Sequence, residues 1–230
     1  MALPEDIPEA PPENLPAFGI DTTRRQTIIR FRNRYRFALQ EMSTRIDILK
    51  QEFESMHEYT PIEHVSERVK SPDSILRKAQ RRGLPPTIEA IRESVRDIAG
   101  IRISCSFVND IYRVASMLVQ QKDLEVAEYK DYIERPKPTG YRSLHLIVQV
   151  PIHLSDRVER VYVEVQLRTV AMDFWASLEH KIHYKYDHDV PEQLLEELRS
   201  VAEDVDRLDR RMEHIHGQMQ EQKLTDWLES

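Results

Sequence analysis

The stretch V-Y-V-E-V-Q-L-R at 161–168 decides how this chain folds. Val161, Val163, Val165 and Leu167 fall at every second position, so one face of a strand is wholly apolar. The other face carries Tyr162, Glu164, Gln166 and Arg168. The same period runs upstream through Leu144, Leu146, Val148 and Val150, which turns Tyr141, Ser143 and His145 to the polar side. It recurs at Ile101, Ile103, Cys105 and Phe107, interleaved with Arg102, Ser104 and Ser106. A fourth strand is expected near 124–133. Between the strands, helices are predicted over 72–83, 87–95, 109–121 and 169–186, with Gly83 and Pro85-Pro86 separating the first two. Strands alternating with helices imply an α+β fold, a mixed β-sheet flanked by helices.

Two long helices bracket this core. From Thr22 to about Tyr59, Ile28, Phe31, Tyr35, Ala38, Met42, Ile46, Leu49, Phe53 and Met56 recur at three- and four-residue steps. In 190–228, Leu194, Leu198, Val201, Val205, Leu208, Met212, Ile215 and Met219 form a heptad seam. That seam packs either on the N-terminal helix of its own chain or on a second subunit, and the pattern leaves both open. Residues 1–20, rich in Pro and Glu, are expected to be a flexible tail. The expected organisation is thus tail 1–20, N-terminal helix 21–60, core 61–187 and C-terminal helix 188–230.

The 230 residues carry 33 basic and 40 acidic side chains, a net charge of −7, which argues against a sequence-independent hold on nucleic acid. RNA binding is not expected. The one cysteine, Cys105, points to a reducing compartment. The N-terminal residues lack the basic and apolar regions of a signal peptide, and no run of about 18 apolar residues exists to cross a membrane. The expected location is the cytoplasm.

Only five glycines are present, and none completes a phosphate-binding loop or dinucleotide-binding turn. Phosphate handling would therefore fall to side-chain cations. Arg68, Lys70, Arg77, Lys78, Arg81 and Arg82 crowd around a helix beginning near Ser71-Pro72. Ser74 and Lys78 share a face of that helix, and Lys70 stands at its N-terminal end, where the helix dipole favours anions. Asp97 precedes one strand, and Glu164 lies mid-strand, where an acid is unfavourable by propensity. Such a pair suits Mg²⁺ bound between carboxylates and nucleotide phosphates, and one of the two could accept a proton. The competing reading pairs Glu164 with Arg102 or Arg168 on a solvated sheet. Tyr141, after the turn Pro138-Thr139-Gly140, offers a ring for base stacking beside cations; otherwise it is simply a tyrosine at a sheet edge.

Four blocks in order resemble the synthetase domain of the RelA/SpoT family, in particular its short stand-alone members. They are R-V-K-S-P-D-S-I-L-R-K at 68–78, D-I-A-G-I-R-I-S-C at 97–105, Y-K-D-Y-I-E-R-P-K-P-T-G-Y-R-S-L-H-L at 129–146 and V-E-V-Q-L-R-T-V-A-M-D-F-W-A-S-L-E-H-K at 163–181. The resemblance implies a nucleotidyltransferase-like sheet that transfers pyrophosphate from ATP to the 3′-hydroxyl of GDP or GTP and releases AMP. It implies that Arg68 and Arg102 hold the ATP base and that Lys70, Ser74 and Lys78 hold its phosphates. Asp97 and Glu164 would hold Mg²⁺, Glu164 also activating the acceptor hydroxyl. Tyr141 would stack on guanine, with Lys130, Lys137 and His145 on the acceptor's phosphates and Gln166 and Asp173 fixing its position. Asp173 stands where many relatives carry an amide. The resemblance further implies a homotetramer, and synthesis without hydrolysis because the chain has no room for a hydrolase domain. A catalytically silent nucleotide- or RNA-binding module on the same sheet is the alternative.

Overall fold

The computed structural model describes residues 22–57, 59–186 and 190–228. The expected tail at 1–20 lies outside them. In chain order the elements are α1 (Thr22–Met56), β1 (Ile62–Val69), α2 (Pro72–Arg81), α3 (Ile88–Ser94), β2 (Ala99–Cys105), α4 (Val108–Val119), β3 (Glu125–Asp131), β4 (Leu144–His153), β5 (Val158–Thr169), α5 (Val170–Lys185) and α6 (Glu192–Leu228).

The strands form one mixed sheet in the order β1-β2-β5-β4-β3, in which only β2 and β5 run parallel. The apolar positions read from the sequence converge on one face. Ile101, Ile103, Leu144, Leu146, Val163, Val165 and Leu167 are all essentially without solvent contact. Met42 and Ile46 of α1 and Ile111, Val114 and Leu118 of α4 close over this face. Fully burying such a side chain contributes about 1.5–3 kcal/mol, so this layer dominates the stability.

Two sequence expectations are corrected, one unpredicted strand is added and one open alternative is narrowed. β1 was not foreseen: its alternation is broken by a bulge between Ile62 and His64, and as an edge strand it exposes Glu63, His64, Glu67 and Arg68. Phe107 is not a strand residue but the N-cap of α4, because β2 ends at Cys105. The α1 stripe is buried only at its centre; Ile28 and Met56 are solvent-exposed, since α1 extends past the sheet at both ends. The 194–219 seam, finally, does not lie on α1. The seam is split: its Leu198, with Ala202 beside it, packs against Trp175 and Ala176 of α5, and its Val205 is half-buried against the same cluster. Leu194, Val201, Leu208, Met212, Ile215 and Met219 face outward.

One buried acid on the inward stripe carries a pH signature. Asp209 is 7% exposed and accepts a 2.7 Å hydrogen bond from Thr169 Oγ1. Burial, which outweighs the Thr169 bond and is reinforced by Asp206 and Glu213, pushes its carboxyl up to about 6 from 3.8. Folding therefore favours the protonated group. Its contribution is fully present below pH 3.8 and is lost as pH rises through about 6. Asp209→Asn, which keeps an acceptor for Thr169, is expected to raise stability at pH 7 by on the order of 2–3 kcal/mol. That gain should shrink to nothing in acid. Thermal melts at pH 7 and pH 4 check this, and an Asn variant less stable at pH 7 contradicts it.

Candidate active site

The sheet register brings residues far apart in sequence into one line. Ser66 pairs with Arg102, Arg102 with Gln166, Gln166 with His145, and His145 with Lys130, so a single polar row crosses all five strands. A neighbouring row runs from Arg68 through Gly100 to Glu164 and Ile147. Gly100 has no side chain, so a gap is left between the Arg68 and Glu164 positions. Strands are pleated with period two, so all these side chains emerge opposite the apolar core.

Asp97 enters from the turn before β2. Its Oδ2 accepts from Lys70 Nζ at 2.6 Å and from Lys78 Nζ. Burial pushes its carboxyl up, but the hydrogen bonds and charges of the two lysines outweigh that and hold it below the usual carboxylate range. Its Oδ1 is buried without a hydrogen-bond partner. The sequence supplies both lysines from one short segment. Lys70 is anchored by its backbone N–H donating to Ile98 O at 2.8 Å. Lys78 stands one turn above Ser74, whose backbone N–H is capped by Ser71 Oγ.

Glu164 faces the same pocket as Asp97, together with Lys78, Arg82, Arg96 and Lys130. Burial and Asp97's charge push it up, while His145 and Gln166 pull it lower on balance. The contacts are His145 Nδ1 to Glu164 Oε1 at 3.4 Å and Gln166 Nε2 donating to Glu164 Oε2 at 3.0 Å. Glu164 thus pairs with neither Arg102 nor Arg168, contrary to the solvated-sheet reading. Those two arginines converge on Asp173 Oδ1, at 3.1 and 3.0 Å.

The acceptor-side residues form a connected network. Tyr141 Oη lies 2.8 Å from His145 Nε2, and Arg168 Nη2 donates to it at 2.6 Å. Lys137 Nζ sits 4.5 Å from the Tyr141 ring centroid, a cation–π contact. Burial raises the Tyr141 phenol and lowers the Lys137 amine. Gly140, with φ +88°, makes the turn that delivers Tyr141; a Cβ there would come 2.5 Å from the Ala202 Cβ of α6. Arg199 of α6 also donates to Pro138 O at 2.9 Å, so the C-terminal helix holds this loop.

Of the thirteen site residues expected from the sequence, twelve lie on this face or contact residues that do, while Ser74 stands on α2 one turn before Lys78. Arg68 is exposed, and its charge is felt by Arg102. Lys130 is held by Glu128. The residue that sequence reasoning did not single out is Arg168. It is 4% exposed and joins Tyr141, Gln166, Asp173 and Ser143. Its one signal was an arginine ending an otherwise apolar-alternating strand.

Two ionised carboxylates facing each other, one with an orphaned buried oxygen, fit a hard divalent cation. Among the described residues no third His, Cys, Asp or Glu completes a ligand set. Such an ion would therefore take its remaining ligands from water and substrate phosphates, as Mg²⁺ does.

The chain matches the region found in RelA / SpoT proteins over residues 67–189, slightly more than half its length. It is 52% identical to the Bacillus subtilis GTP pyrophosphokinase YwaC over 178 residues, which span 77% of this chain and 85% of that one. Small alarmone synthetase 2 from Bacillus subtilis superposes with a TM-score of 0.73 at 49% identity, covering 80% of this chain and 96% of that one. Small alarmone synthetase 1 from the same organism, bound to its product pppGpp, gives a TM-score of 0.78 at 40% identity over 84% of this chain and 98% of that one. The architecture agrees with both: a five-stranded mixed sheet between helices, with long helices at either end. By sequence, by fold and by the four blocks that line this pocket, the chain belongs to the RelA/SpoT family.

Proposed function

We propose that the chain is a GTP pyrophosphokinase that moves the β,γ-pyrophosphate of ATP onto the 3′-hydroxyl of GDP or GTP, releasing AMP and making (p)ppGpp. The observation that carries this reading is the facing pair Asp97 and Glu164, ringed by Lys70, Lys78 and Lys130, one strand away from the His145–Tyr141 network. A pocket of cations around two carboxylates serves phosphoryl transfer by positioning and charge neutralisation, the main levers for that chemistry.

In this reading Arg68 and Arg102 flank the adenine across the gap above Gly100. Lys70, Ser74 and Lys78 take the triphosphate. Asp97 and Glu164 hold Mg²⁺, which when bound offsets phosphate charge and polarises the transferring group. Because Lys70 and Lys78 already neutralise Asp97, they are held where incoming phosphate oxygens can share them. Glu164 is ionised at neutral pH, as required of a group that accepts the 3′-hydroxyl proton, and His145 beside it steadies the charge. Guanine stacks on Tyr141 in place of Lys137, which frees that amine for the acceptor's phosphates beside Lys130. Gln166 and Asp173 orient the acceptor indirectly, through Glu164 and Arg168. The chain works as a cytoplasmic homotetramer, with the outward seam of α6 and the exposed ends of α1 as subunit contacts.

Incubating the purified protein with ATP, Mg²⁺ and GMP, GDP or GTP, then resolving the nucleotides, tests the reaction. AMP formed one-for-one with a guanosine 3′-pyrophosphate supports it. Free pyrophosphate with an adenylylated product would indicate an ordinary nucleotidyltransferase instead, and intact ATP a silent binding module. Tyr141→Ala should weaken acceptor binding by about 1–3 kcal/mol if stacking holds the base. The check is the acceptor KM at saturating ATP, and an unchanged value removes Tyr141 from the acceptor site.

A further inference from the structure

A cavity of about 360 Å³ adjoins the carboxylate pocket and shares Glu93 and Arg96 with it. This is at the small end of ligand-pocket sizes, room for a phosphate chain more than for a whole nucleotide. Its charged lining is Arg34 of α1, Arg92 and Glu93 of α3, Arg96 just beyond, and Arg160 of β5. Four guanidinium groups thus meet one carboxylate. Arg34 and Arg96 are tied from the side, by Glu159 and Glu128, each at 2.9 Å. Among the described residues no carboxylate lies within 4.0 Å of Arg92 or Arg160.

Most exposed arginines are simply solvated, and Arg92 and Arg160 alone would mean little. Arg34 makes the difference. Its side chain is only 10% exposed, and its Nε is buried with no hydrogen-bond partner. Burial, and next the like charge of Arg92, draw it below the ordinary guanidinium range. Glu159 offsets part of that like charge, but the buried Nε is still a donor without an acceptor, which an anion in the cavity would supply. The wall opposite is stiffened: Arg96 lies over the Tyr162 ring at 5.0 Å, and Gln149 Nε2 donates to Tyr162 Oη at 3.2 Å. Arg160, Tyr162 and Glu164 lie on one face of β5, so the cavity begins about 13 Å or less along the strand from the reactive carboxylate.

We propose that this cavity is an oligophosphate-binding site separate from the ATP phosphate cradle, taking a di- or triphosphate group on Arg34, Arg92, Arg96 and Arg160. The group comes either from the outer phosphates of a bound guanosine nucleotide's 5′-tail, reaching past Lys130 through the shared Glu93–Arg96 rim, or from a free oligophosphate. The binding claim stands without the reaction; the 5′-tail source rests on the pyrophosphokinase reading.

The test is calorimetric titration of tripolyphosphate into the full chain with the ATP site filled by a non-hydrolysable ATP analogue. Binding should persist in the presence of the analogue and weaken roughly tenfold or more in the Arg92→Gln/Arg160→Gln double variant. Both residues are exposed, so the variant should melt like the parent. No binding once the analogue is present, or equal affinity in the variant, overturns the proposal. The source follows from kinetics. A KM for GTP that rises roughly tenfold in the variant, with kcat and the KM for GMP unmoved, assigns the 5′-tail. Both KM values unmoved, with tripolyphosphate binding lost, assigns a free oligophosphate. Turnover of the parent chain reports on the reaction separately.

Discussion

Glu164→Gln is expected to lower pyrophosphate transfer by a factor on the order of 10² or more while leaving the fold in place. Gln has nearly the same shape, and its carbonyl can still accept from Gln166 Nε2, which now donates to Glu164 Oε2 at 3.0 Å. What disappears is the charge. Without it the second carboxylate of the facing pair cannot balance Asp97 around a cation, and no anion remains beside His145 to take the hydroxyl proton. Asp97→Asn should be as inactive, but it is the less clean experiment. Asp97 is the shared counter-ion of Lys70 and Lys78, so its loss leaves two ammonium groups facing each other and disturbs α2. Turnover measured beside a thermal melt decides the matter: a folded Glu164→Gln protein with near-normal turnover removes Glu164 from the chemistry.

Arg168→Met should instead act on stability first. The guanidinium is nearly fully buried and satisfies Tyr141, Gln166, Asp173 and Ser143 together. Breaking a buried charged network by removing one partner costs about 3–5 kcal/mol. The lower end applies here, because Arg102 still pairs with Asp173. The Tyr141 hydroxyl would keep His145 but lose its charged donor, so the ring should wander and the acceptor KM rise before kcat falls. Denaturant melts with acceptor kinetics check both halves. A variant as stable as the parent would mean that the network contributes nothing net.

How legible this was in the sequence depended on whether a residue's partner was local. The alternations at 101–105, 144–150 and 161–167 were readable because burial on one face imposes period two, and β2, β4 and β5 follow them. β1 was not, since its bulge and its exposed edge erase the alternation, although it carries Arg68 to the site. The heptad period of α6 was plain, yet period says nothing of partner. The helix buries Leu198 of that seam, with Ala202, against α5 and leaves Leu194, Val201, Leu208, Met212, Ile215 and Met219 outward. At the site, charge type and strand face drew attention to Asp97, Glu164, Lys70 and Lys78 but fitted a solvated ion-pair surface equally well, and their roles came from the resemblance of the four blocks. The pairings did not follow, because they depend on register. Asp173 could not be matched with Arg102 and Arg168 from spacing alone, nor could Arg168 be told from the other polar-face residues of β5.

The most direct measurement is single-turnover transfer from ATP labelled at the β-phosphorus to GDP in the presence of Mg²⁺. The label is expected to leave adenosine with its neighbouring γ-phosphate and to appear on the guanosine 3′-oxygen, with an equal amount of unlabelled AMP. Label retained in ADP, or released as free pyrophosphate, would contradict it.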